Sequence, residues 1–215
     1  MKGYIYFLLL LFMLIVIYEV FKKNNKQSPT KIKILCTILL IGMTLRYLVM
    51  ILMFLVQNMS YLYLLKPLYF FNFICIPIAA FITLYILIRN DKINFSYIFF
   101  ISAVLAGIYI FFIYKYPVSL KVDRYNGYFM EIIQASYVYI AYMLVNVFLV
   151  ILGVKFYKKN IDKKGIILFI LSAIFLIIET MLFFIGKWIF VNIVISDILW
   201  MLTLNYVLSK LKKIR

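Results

Sequence analysis

Three ionisable residues, Arg46, Glu179 and Asp197, interrupt stretches of sequence that are otherwise almost wholly apolar. In hydrocarbon each such group costs about 2.5–3.5 kcal/mol even on the lenient insertion scale, so it needs a partner. One arginine and two carboxylates supply partners for each other. The chemistry open to them is ion pairing, capture of an anionic ligand by Arg46, or a carboxylate that changes partner. A permanent clamp between helices, with Arg46 held by Asp197, would use the same three residues.

The usual catalytic repertoire is missing. The sequence has no histidine, which removes Ser-His-Asp and Cys-His nucleophile systems, HExxH metalloproteases, His-ligated haem and any phosphoacceptor histidine. No GxxxxGK[ST] or GxGxxG phosphate loop occurs. Cys36 and Cys75 sit inside apolar runs without CxxC spacing, so both read as small buried hydrophobes. Neither a metal site nor a cofactor is expected, and an enzyme is not expected; carboxylate-only chemistry is the one catalytic route left open.

A second group of candidates lies towards what should be one membrane surface. Glu131 and Gln134 are one turn apart at the start of a predicted span, with Tyr69 and Tyr137 at a similar level. They would line the mouth of an outer pocket, with Glu131 as polar anchor. Tyrosines at that depth also form the interfacial belt of ordinary membrane proteins.

The elements that position these residues follow from composition. Hydrophobic residues make up 67% of the 215-residue chain, more than a globule of this size can hide from water, so the excess must face lipid. The net charge of +16 comes in short clusters between apolar runs, with no continuous basic face, which argues against nucleic acid as a partner. A bilayer core of about 30 Å needs roughly 20 apolar residues as helix. Seven stretches meet or approach that length: 4–21, 34–56, 68–88, 95–114, 129–154, 166–185 and 188–208. The first lacks a cleavage signal and reads as a retained helix. The fold class predicted is an all-α membrane protein, a single seven-transmembrane-helix bundle spanning 1–215.

Lys and Arg set its orientation. Sixteen fall at alternate connections and the tail (22–33, 89–92, 155–164 and 210–215), against six on the opposite side. The expected arrangement has the amino terminus outside and the carboxyl terminus in the cytoplasm, in a bacterial plasma membrane. Arg46 would lie about 15 Å below the outer end of its span, Asp197 about 13.5 Å and Glu179 about 9 Å, close enough in depth to form one internal cluster. Ser172 and Glu179 on the sixth span and Ser196 and Thr203 on the seventh form small, polar stripes of the kind that mark helix contacts. Ala103 and Gly107 on the fourth read the same way, Pro77 is expected to kink the third, and the connection 115–128 is expected to be a loop.

Seven spans, an external amino terminus and short loops resemble the seven-helix amino-terminal sensor region of certain bacterial histidine kinases. The stretch from Leu64-Leu65-Lys66-Pro67-Leu68-Tyr69 through Ile76-Pro77 to Ile88-Arg89 is similar in style to that region's third helix. This chain stops at Arg215 without a kinase, so the resemblance implies a stand-alone sensor or receptor-like module that acts through a cytoplasmic or membrane protein partner. It carries over no ligand residues. A small permease or substrate-binding transporter subunit, and an immunity or accessory membrane protein, are the alternatives.

Overall fold

Backbone N–H and C=O groups within an apolar run have no water to bond, and the helix satisfies them locally. The computed structural model describes residues 2–56, 61–88, 94–123, 127–133, 135–157, 162–185 and 193–211. Among these, seven helices are long and apolar enough to cross a membrane. They are α1 (Lys2–Gln27), α2 (Thr30–Leu55), an interrupted third, α5 (Ser96–Lys115), α6 (Ala135–Tyr157), α7 (Lys163–Phe184) and α8 (Val194–Leu211). The third runs as a 3-10 turn, Leu62–Leu65, then α3 (Lys66–Tyr69) and α4 (Asn72–Ile88).

The helix α4 is the hub. It packs against α2, α5, α6, α7 and α8, while α8 also packs on α1 and α7, and α6 lies along α7. Small and polar residues select α4 for this position. Asn72, Ala79, Ala80 and Thr83 are all buried in it, and short side chains let backbones approach closely in a medium where apolar bulk has no preference between lipid and protein. The same pressure acts at Gly42 on α2, where an added Cβ would stand 3.0 Å from Cys75 Sγ of α4.

The third span is helical through Pro77 and is interrupted at Phe70 and Phe71. Three further details depart from the expectations above. Within the expected loop, β1 (Val118–Asp123) pairs antiparallel with β2 (Gly127–Ile132), Val118 opposite Ile132 and Asp123 opposite Gly127. The fifth span therefore begins at Ala135, and Phe129 is a strand residue. The alternation Val-Ser-Leu-Lys-Val-Asp over 118–123 and the Asn126-Gly127 pair are the strand and turn signals that the span count obscured. Gly127 has φ of 72° and lies against α2, where a Cβ would come within 2.9 Å of Phe54 Cα. Finally, Gly107 meets nothing within 4 Å, and Ala103 and Gly107 are exposed. That pair faces outward and joins no neighbouring helix.

Candidate functional site

Arg46 and Tyr47 project from α2 into the bundle and are 2% and 0% exposed. Opposite them, Asp197 lies in the first turn of α8 and is 0% exposed. The Arg46 guanidinium forms a buried ion pair with Asp197 Oδ2, and Tyr47 donates its hydroxyl to the same oxygen at 3.2 Å. Arg46 Nε donates to the carbonyl of Tyr69 at 2.9 Å.

That carbonyl is available because the third span breaks there. The amide of Phe73 bonds to Phe70 and that of Cys75 to Phe71, so the helical ladder that would have claimed Tyr69 C=O is interrupted. A freed carbonyl in an apolar interior needs a donor, and Arg46 provides one. The cluster thus joins α2, the break before α4, and the start of α8.

Glu179 takes a different role from the one expected. Its carboxylate accepts from the amides of Ser196 at 3.0 Å and Ile195 at 3.4 Å, and from the Ser196 hydroxyl. The first amides of a helix lack intrahelical acceptors and carry partial positive charge, so Glu179 of α7 caps α8 from outside. Ile193, with φ of 57°, turns the chain into that helix in a conformation rarely adopted by a β-branched residue. Asp197 is three residues inside the start of α8, about 4.5 Å along the axis, against about 13.5 Å expected for its span; residues 186–192, where that span was expected to begin, lie outside the described residues.

Neither a known family model nor a curated protein matches this chain. Its functional reading rests on these side chains alone.

Two residues of the expected outer pocket, Tyr69 and Tyr137, face different surroundings. Tyr69 is 2% exposed within the core, whereas Tyr137 is 69% exposed on the outside of α6. Glu131 lies on β2, where it pairs with Lys121 of β1, and Gln134 lies outside the described residues. The small polar stripes of α7 and α8 do meet, through a 2.8 Å hydrogen bond between the Ser172 and Thr203 hydroxyls.

Sequence reasoning did not place three contributors in this cluster. The Tyr47 hydroxyl and the Tyr69 carbonyl complete the Arg46–Asp197 pair, and Ser196 binds Glu179. Only Ser196 carried a signal, its place on a polar stripe; a tyrosine beside an arginine, or a main-chain carbonyl at a break, carries none. Asp197 Oδ1 is buried without a hydrogen-bond partner among the described residues, so the carboxylate is held by one oxygen. Among the described residues, no group of three or more His, Cys, Asp or Glu side chains could hold a metal ion.

Proposed function

We propose that this chain is a sensor or receptor-like module of a bacterial plasma membrane, with its amino terminus outside and its tail in the cytoplasm, acting through a protein partner. The observation that carries this reading is the buried latch of Arg46, Tyr47 and Asp197. It ties α2 to α8 and to the break in the third span, and its polar groups bond to one another with Arg46 and Asp197 almost wholly buried. In this reading the latch is closed here and would open on a signal; β2 packs on α2, with Phe129, Met130 and Ile132 buried.

An event at the hairpin would reach α2, and through the latch the whole of α8, whose far end carries Lys210. A permease would instead expose its polar groups along a solute path, and a cluster buried in the bundle fits that role less well. The exposed lysines Lys155, in the last turn of α6, and Lys163 and Lys164, in the first turn of α7, are suited to an acidic cytoplasmic partner.

The test is purification from membranes of the native host followed by reconstitution. A stoichiometric partner should copurify, and should be lost when Lys155, Lys163 and Lys164 are all replaced by Gln. Solute flux into proteoliposomes containing only this protein, abolished by Arg46→Ala, would overturn the sensor reading in favour of the permease.

A further inference from the structure

Of the seven spans, α5 is the least enclosed: Ile98, Ser102 and Tyr109 are the buried residues of its twenty. It packs mainly on α4, and a groove runs along each of its flanks. One, of about 180 Å³, lies between α4, α5 and α6 and is lined by Pro77, Leu105, Ile108, Phe112 and Val138. The other, of about 710 Å³, lies between α5 and the 62–69 segment, lined by Leu64, Lys66, Pro67, Ala106 and Ile110. The larger falls within the range of sites that hold small amphiphilic molecules. Tyr109 borders both grooves, and its hydroxyl donates to the carbonyl of Pro67.

Lys66 lines the larger groove, beside the carboxyl end of α5. Lys66 Nζ donates to the carbonyls of Ile113 at 2.5 Å and Tyr116 at 2.7 Å, which caps the carboxyl end of α5. A helix end offers only about half a negative charge, so a net positive charge remains. Lys66 has no carboxylate partner among the described residues, in contrast to Lys121, which Glu131 neutralises. Lys115, in the last turn of α5 and exposed, adds a second cation, with Nζ 5.1 Å from the Phe111 ring centre.

From this juxtaposition we infer that an anionic phospholipid binds along α5, with its phosphate at Lys66 and Lys115 and an acyl chain in the groove beside Ala106 and Ile110. Any lipid tail fits an apolar groove, but the paired cations make the site selective for an anionic headgroup, by about fivefold per lysine. The inference rests on the membrane reading but is independent of the sensor role.

Native mass spectrometry of the detergent-solubilised protein tests it, with phosphatidylglycerol and phosphatidylcholine of identical chains as probes. Wild type should prefer phosphatidylglycerol at least fivefold. Lys115→Gln, which removes no internal hydrogen bond, should reduce that preference, and Lys66→Gln with Lys115→Gln should abolish it. Ala106→Trp should fill the groove and weaken binding of both lipids. Equal binding of the two lipids by wild type, or a preference unchanged in the double variant, overturns the lipid site while leaving the membrane reading intact. Extraction as a monomer without detergent overturns both.

Discussion

Arg46 is 2% exposed and Asp197 0%, so neither charge can turn to water when its partner is removed. Breaking a buried pair from one side costs about 3–5 kcal/mol, whereas replacing both partners by apolar groups of similar size is often neutral or stabilising. Arg46→Met should therefore destabilise the protein by about that amount, leaving Asp197 buried with only Tyr47, and Tyr69 C=O without its donor. Arg46→Met combined with Asp197→Leu should recover most of the loss, as read by thermal unfolding in micelles. A double variant no more stable than the single one would show that Arg46 acts chiefly through the Tyr69 carbonyl. The two carboxylates at similar depth are thus not equivalent: Asp197 balances a charge, while Glu179 balances the orphan amides of a helix end.

The ends of elements are held by further polar contacts. Near the turn between α1 and α2, the buried Asn24 side chain donates to the Lys33 carbonyl and the Thr37 hydroxyl, each at 3.1 Å. At the start of α7, Asp162 accepts from the Tyr206 hydroxyl at 3.2 Å and pairs with Lys210 at 3.2 Å, tying α7 to the carboxyl end of α8. Partial burial raises the Asp162 pKa, but the Lys210 ammonium and the Tyr206 hydroxyl outweigh it and hold the carboxyl below its ordinary value of 3.8. A carboxyl depressed by folding adds stability above its unfolded pKa, and that stability is lost as pH falls through the folded one. Asp162→Asn should accordingly unfold slightly earlier than wild type at pH 7. The two should converge only as pH falls through the depressed folded pKa of Asp162, where the acid becomes protonated in both states. A gap that does not narrow as the pH is lowered would assign the effect to packing of the asparagine.

At the scale of the whole molecule, the hairpin lies at one end of the bundle, against α2, and the end of α6 and the start of α7 at the other. The lysine bias predicts that the first end faces outside. Single-cysteine variants in a background with Cys36→Ala and Cys75→Ala should report this in intact cells. A cysteine at Val122 of the hairpin, which is 59% exposed, should react with an impermeant maleimide. One at Lys163 should react only after lysis, and the reverse pattern would invert the topology.

Hydropathy alone determined the number of long apolar helices, because an apolar run of some 20 residues has one inexpensive way to satisfy its backbone in lipid. Depth counting along those runs was sufficient to name Arg46 and Asp197 as potential partners, since buried opposite charges have few places to go. Finer matters were decided by tertiary structure. Hydropathy reads the third and fourth spans alike, yet α4 is the hub and α5 lies at the edge, because lipid and protein solvate apolar side chains almost equally. The break at Phe70–Phe71 has no proline or glycine to announce it, and it is stabilised by an arginine 23 residues earlier. Glu179 became a helix cap only because Ile193 turns α8 towards it. These contacts are made across the bundle between residues far apart in the chain, so no local pattern encodes them.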